Sequence, residues 1–307
     1  MALLTHTCLV LWIGFLSTQR INCLNLWTWS HENHNKDIMS VIKDGFHMTN
    51  TRGMFGIGAN DSLTLAEDPE HPGQWVLRVF YAKGSYSAPG THRGAQFYGT
   101  PSALTHHNYT TLTLEYEVYF PSSFDWNKGG KLPGLFGGTS DCAGGIVKDT
   151  CFSTRLMWRA LGDGEVYAYV THSQSPDFQT WCAKYSHAST PAYMHIYCVP
   201  GYGIEIAKNT WRFQHNHWHL VRQEIHLNDH PGQNGYIKLW VDRRAEVHVT
   251  DVHMRANTNF GIDGLFFSTF FGGGDSTYAC PHDTYTYFRN FKIFTDTATP
   301  SHSELVG

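Results

Sequence analysis

The sequence predicts an all-β fold, a jelly-roll β-sandwich with a concave substrate groove, and three observations carry that expectation. Aromatic residues make up 15% of the 307 residues and charged residues only 16%, alongside 29 glycines. That balance favours short strands joined by turns over coiled coils or long helices. Runs mixing β-branched and aromatic residues alternate in polarity with period two, while helical periodicity of useful length is absent. Clusters of Gly, Pro, Asn and Asp separate the runs, as turns between strands require. A hydrophobic share of 41% is ample for one large core without help from a metal. The formal net charge of −4 excludes a generally basic nucleic-acid binder, so an anionic partner would have to meet a local basic cluster.

In chain order, residues 8–16 (CLVLWIGFL) are apolar throughout but too short to cross a bilayer as a helix. With the polar stretch 17–22 behind them they read as a secretory signal over residues 1–23, cleaved near Cys23, although the head carries no Lys or Arg. Residues 24–307 are then expected to form one domain with a C-terminal tail at 295–307, secreted as an extracellular monomer. No later segment approaches a membrane-spanning length. Strands are expected at 74–81, 111–119, 218–227, 236–241 and 288–294. The run 111–119 (TLTLEYEVY) places Leu112, Leu114, Tyr116 and Val118 on one face. Two sequons, at Asn60 and Asn108, are candidate N-glycan sites that agree with export.

Export changes how the cysteines read. Five follow the signal, Cys142, Cys151, Cys182, Cys198 and Cys280, and in an oxidising compartment four of them can form two bridges. The gaps suggest Cys142–Cys151 and Cys182–Cys198, each closing a short loop worth roughly 2–3 kcal/mol. Spacing alone leaves the pairing open, and it matches no zinc-ligand pattern.

The most informative stretch is 128–171. Residues 151–159 (CFSTRLMWR) and 165–171 (EVYAYVT) flank ALGDG at 160–164, a hairpin turn. Alternation puts Phe152, Thr154, Leu156 and Trp158 on one face with Val166, Ala168 and Val170. Ser153, Arg155, Met157 and Arg159 take the other with Tyr167 and Tyr169, and this second face is expected to be open. A turn centred on Gly162 sets Arg155 opposite Tyr169 and Arg159 opposite Glu165, the latter read as a surface ion pair. Tyrosines also stack across strands for packing alone, so this face is not by itself a site. Just upstream, KGGKLPGLFGG (128–138) sets two lysines among glycines, which permit tight turns and the close approach of a bulky ligand. It does not fit a phosphate-binding loop.

The run KGGKLPGLFGG, then STR at 153–155, then YAY at 167–169, resembles the polysaccharide lyase family of molluscan and algal-virus alginate lyases, family 14. RQEIHLN at 222–228 and GYIKLWVD at 235–242 look like later strands of the same domain, and the resemblance spans roughly residues 25–295. It implies a jelly roll with a uronan groove on its concave face, a secreted enzyme and an acidic polysaccharide as partner, with no nucleic acid, membrane, cofactor or metal. It places the family's lysine at Lys131, its Ser-x-Arg at Ser153 and Arg155, and its Tyr-x-Tyr at Tyr167 and Tyr169. The two short-range disulfides look like family features as well, which leaves Cys280 unpaired.

The residue types suit β-elimination. Removing the C5 proton of a 1,4-linked uronate is hard because the neighbouring carboxylate is ionised, and a cation or strong donor on that carboxylate stabilises the enediolate-like transition state. Arg155 suits bidentate carboxylate binding and Ser153 can add a hydroxyl donor. Lys131 either neutralises the carboxylate or takes the proton, and Tyr169, with Tyr167 as the alternative, protonates the leaving oxygen. Lys128, and Arg93 and Gln96 in THRGAQFY (91–98), are candidate substrate-binding residues, with packing an equal explanation for the latter two. His215, His217 and His219 would share one face of an extended strand, a ligand-like arrangement, although a loop role suits them better. The leading expectation is an alginate lyase acting on mannuronate-rich stretches. The rivals are a lyase for another uronan such as glucuronan, and a non-catalytic matrix, shell or glycan-binding protein on the same fold.

Overall fold

A computed structural model describes residues 6–7, 22–30, 35–58, 61–90, 92–171, 174, 196–198, 203–229 and 234–296. Their strands build two sheets. The first runs β1 (His6–Thr7), β2 (Asn22–Trp29), β17 (Thr284–Asp296), β7 (Thr111–Tyr119), β13 (Trp218–His226), β14 (Gly235–Val241) and β15 (Arg244–Val252). Against β17 it also carries β5 (Trp75–Tyr81), which pairs with β4 (Leu63–Glu67). The second runs β11 (Ile196–Cys198), β12 (Ile204–Ile206), β10 (Gly164–Tyr169), β9 (Cys151–Arg159), β8 (Gly129–Gly138), β16 (Gly264–Phe271), β6 (Ala95–Gly99) and β3 (Met48–Phe55). All pairs are antiparallel. The result is the expected all-β sandwich.

One hydrophobic core fills the space between the sheets. Leu112, Leu114, Tyr116 and Val118 of β7 enter it together, as their alternation requires, and so do Phe152, Leu156 and Trp158 of β9. Trp158 is ringed by Tyr81, Phe120, Phe124 and Phe271 at centroid distances of 5.2 to 6.1 Å. Polar ties cross the same space. The Tyr81 hydroxyl bonds Thr269 of β16 at 2.5 Å and Thr286 of β17 at 2.6 Å, and Thr154 of β9 donates to Gln223 of β13 at 3.0 Å. The Tyr81–Thr269 and Thr154–Gln223 bonds join one sheet to the other, the Tyr81–Thr286 bond ties two strands of the first sheet, and each satisfies a group that would be costly to bury alone.

The strands expected from sequence are present, β7 with the expected ends and the others with shifted ones, β17 being the most extended. Two expectations need correction. The glycine-rich segment, whose glycines were read as permitting tight turns, is instead the strand β8, in the interior of the second sheet. Its glycines make room for neighbours: a Cβ at Gly130 would lie 2.1 Å from the Trp158 ring, and one at Gly134 would lie 2.0 Å from the Thr154 carbonyl oxygen. Pro133 falls where the β8–β9 register breaks between Leu132 and Leu135, the kind of irregularity that tolerates a missing N–H.

The hairpin register also differs. The turn is a 3-10 segment, Ala160–Gly162, with Leu161 at φ 62° and Gly162 at φ 83°. It centres on Leu161, pairing Trp158 with Gly164, Met157 with Glu165, Arg155 with Tyr167 and Ser153 with Tyr169. The shift is two residues, an even number, so every side chain keeps its expected face.

Candidate active site

Alternation fixes what the second sheet shows on the side away from the shared core. From β9 come Ser153, Arg155, Met157 and Arg159; from β10, Glu165, Tyr167 and Tyr169; from β8, Lys131, paired with Met157. Neighbouring strands add Glu205 of β12, opposite Tyr167, and Ser268 of β16, opposite Gln96 of β6. Five residues proposed from sequence therefore meet on one surface, but that surface is covered. Ser153, Arg155, Tyr167, Tyr169 and Lys131 are between 1% and 7% exposed.

Part of the cover is the loop 139–150, closed by the expected Cys142–Cys151 disulfide. Met157, Tyr167, Tyr169 and the two cysteines pack together as a cluster separate from the main core. The Cys142 carbonyl accepts the Ser153 hydroxyl at 2.6 Å, and the Gly145 N–H donates to the Tyr169 hydroxyl at 3.1 Å. Ser153 has one proton and spends it on the loop, so it anchors the lid rather than offering a free donor. On the other side, the Gly203 N–H donates to the Tyr167 hydroxyl at 3.3 Å. Burial, with Tyr169 beside it, pushes the Tyr167 phenol up, which suits a proton donor better than a base.

Lys131 lies with its Nζ 3.7 Å from the Tyr167 ring centroid and 2.5 Å from Met157 Sδ, a weak acceptor. Burial, then Arg155 and Arg159, hold its amine well below the usual lysine range. Arg155 lies 4.6 Å from the Phe266 ring centroid and 5.5 Å from that of Tyr169, and donates from Nη1 to Ser268 at 3.1 Å. Ser268 donates in turn to Gln96 at 2.9 Å, and Gln96 to the Gly53 carbonyl at 2.7 Å. Among the described residues neither Lys131 nor Arg155 has a carboxylate within ion-pair distance. Two buried cations without an anion make a surface prepared for one.

The remaining sequence candidates are placed as follows. Gln96 reaches the site through Ser268, but Arg93 covers the Phe55 ring at 4.0 Å and donates to the Ser87 and Ala88 carbonyls. Lys128 is exposed and donates to Thr277. Arg159 and Glu165, expected on the surface, are buried, and Glu205 joins them. His215 stacks on Trp126 and bonds the Phe124 carbonyl, apart from the other two histidines. His217, His219 and Asp242 bring ligand atoms within 4.8 Å of one another. Yet His219 accepts the Gln214 N–H at Nε2 (2.7 Å) and meets Asp242 at Nδ1 (2.8 Å), so both ring nitrogens are already engaged. Cys280 is a buried free thiol whose pKa burial pushes up to about 12. Asn108 is exposed; Asn60, Cys182 and the Cys198 side chain lie outside the described residues. Sequence reasoning missed Ser268, Glu205 and the burial of Glu165, because these follow from which strands become neighbours.

The two-sheet sandwich thus gathers two cationic side chains and two tyrosine hydroxyls on one face of its second sheet. The chain belongs to polysaccharide lyase family 14, whose family model matches residues 69–291. It is similar to the PL-14 alginate lyase of Aplysia kurodai, with 36% identity, a TM-score of 0.73 and coverage of 88% of this chain and 99% of that one. The alginate lyase vAL-1 of Chlorella virus shares the fold at 21% identity and a TM-score of 0.63, over 85% and 99% of the two chains. An exolysin of Paramecium bursaria Chlorella virus 1 is 25% identical over 229 residues, 69% of this chain; the chain spans only 33% of that relative's length.

Proposed function

We propose that the protein is a secreted alginate lyase that cleaves mannuronate-rich stretches by β-elimination, in a groove running over the Lys131–Arg155 surface. The observation that carries this is the pair of buried cationic side chains with no carboxylate partner among the described residues, beside two tyrosine hydroxyls. The uronate carboxylate supplies the missing anion. Arg155, bonded to Ser268, neutralises it as charge moves onto it, joined by Lys131 where that amine is charged. The C5 proton passes to a base, the electron pair of that bond forms the C4–C5 double bond, and the C4–O bond breaks. Tyr169 delivers a proton to the departing oxygen. Lys131, whose amine gives up its proton more readily than a surface lysine, is the base if it enters the reaction neutral. Tyr169 takes both proton steps if Lys131 stays charged. The Cys142–Cys151 bridge supports export, since such bonds persist in oxidising compartments.

The test is the ultraviolet absorbance of unsaturated uronates, followed with mannuronate-rich alginate, guluronate-rich alginate and glucuronan. A rise on the first, abolished in Lys131→Ala, is expected. A rise on glucuronan alone would reassign the substrate. No rise on any of them, from folded protein with its disulfide formed, would overturn the enzymatic reading in favour of a glycan-binding or matrix role.

A further inference from the structure

Beside the reacting residues, on the same face of the second sheet, lies a second charged group that the elimination does not use. Glu165 is fully buried. One carboxylate oxygen accepts from Arg159 Nη2 at 2.5 Å, and the other has no hydrogen-bond partner among the described residues. The same Arg159 nitrogen donates to Glu205 at 2.5 Å, and Glu205 also meets Lys208 at 3.2 Å. An ion pair this deep is costly to desolvate, and leaving one oxygen unsatisfied adds to the cost. A core position that needed only volume would be better filled by an apolar side chain.

Register shows what the charge faces. Lys131 pairs with Met157 and Met157 with Glu165, so the three form one row across β8, β9 and β10. Two strand spacings, about 9.6 Å, separate the backbones of Lys131 and Glu165. On the other flank of Lys131, β16 presents Phe270, which carries no charge. The ionisable groups around Lys131 are therefore Arg155 and Arg159 on β9, Glu165, Tyr167 and Tyr169 on β10, and Glu205 on β12. Two of them are carboxyls, and Arg159 is bonded to both; at Glu165 burial pushes the carboxyl up and Arg159 opposes that.

We propose that Glu165 is a positioning residue of the lyase reaction: it pins Arg159 away from the substrate and supplies the negative field that keeps Lys131 able to hold a proton. The inference rests on the lyase reading above but has a readout of its own. Without Glu165 and Glu205, Lys131 would face two arginines alone. With both of them tied to Arg159, the surface next to the substrate keeps a free positive charge at Arg155 and a titrating amine at Lys131.

The experiment compares wild type with Glu165→Gln, Glu165→Asp and Glu205→Gln. Glu165→Gln keeps the shape and removes the charge. The pH–rate limb that belongs to Lys131 should move to lower pH by about one unit, as expected for one charge at this range and an effective dielectric of about 20. The direction is the same whether Lys131 works neutral or charged, because losing a nearby anion always lowers the affinity of an amine for its proton. Glu165→Asp should restore the wild-type limb, and Glu205→Gln should give a smaller shift in the same direction. The titration of Lys131 is followed separately by NMR of ε-carbon-labelled lysine, assigned by the peak lost in Lys131→Met. Coincident titration curves for wild type, Glu165→Gln and Glu205→Gln would overturn the proposal. The NMR arm needs no turnover, so an inactive wild type would overturn the lyase reading and the catalytic part of this one, while the titration alone decides whether Glu165 helps Lys131 hold its proton. If Glu165→Gln does not fold, Glu205→Gln decides, since it carries the same sign at a partly exposed position.

Discussion

Ser268 is an ordinary serine in the run LFFSTFF, and nothing in its neighbours marks it. In the fold it is fully buried, accepts from Arg155 and donates to Gln96. Ser268→Ala leaves the guanidinium without this fixed acceptor. Hydrogen bonds to charged groups are worth about 1.5–3 kcal/mol, so kcat/KM on alginate should fall roughly ten- to a hundredfold with little change in melting temperature. Steady-state kinetics beside Arg155→Ala would check it, and an unchanged rate would remove Ser268 from the site. Arg155, Tyr167 and Tyr169 were legible in sequence because alternation assigns faces without knowledge of partners, whereas Lys131 came from the family resemblance alone. The register error of two residues left those faces intact. Ser268 and Glu205 were not legible, since each reaches the site through a strand pairing that spans distant parts of the chain.

The loop 139–150 behaves as one unit. Its disulfide closes it, Lys148 pairs with Asp141 inside it, and Asp149 accepts from Thr171 just past β10. Two further bonds set it over Ser153 and Tyr169. Opening the bridge with a mild reductant should remove about 2–3 kcal/mol of stability and lower kcat more than it alters the far-ultraviolet dichroism, because the strands stay while Tyr169 loses its backbone donor. Equal loss of dichroism and activity would mean the bridge holds the fold instead. Short-range pairing of these cysteines could be anticipated from their spacing. The carbonyl and amide that the loop turns toward the site could not, because backbone groups leave no trace in residue identity.

For the whole molecule, two sheets share one core, and Trp158 stands where both contribute to it. Trp158→Ala should cost about 3–5 kcal/mol in urea unfolding, as large-to-small changes do in rigid cores. Acid stability has a marker in Asp68. Burial pushes its carboxyl up, but the Glu70 N–H and Arg289 outweigh that and hold it below the usual value. A lowered carboxyl contributes above its unfolded pKa and loses that contribution as pH falls through the folded value. Asp68→Asn should therefore flatten the loss of stability below about pH 4, measured by thermal melts across pH. Fold class was readable from period-two patterning, whereas sheet order was not, since it depends on strands recruited from both ends of the chain. That order has a bearing on how family variation would be interpreted. Gly130, Gly134 and Gly137 of β8 have no side chain to offer a substrate, yet an added Cβ would strike Trp158, the Thr154 carbonyl and the Gly261 carbonyl respectively. A saturation mutagenesis screen scored on activity would find these positions as intolerant as Lys131 itself. Only a parallel screen for abundance would separate the glycines that let the sheet close from the lysine that the closed sheet presents.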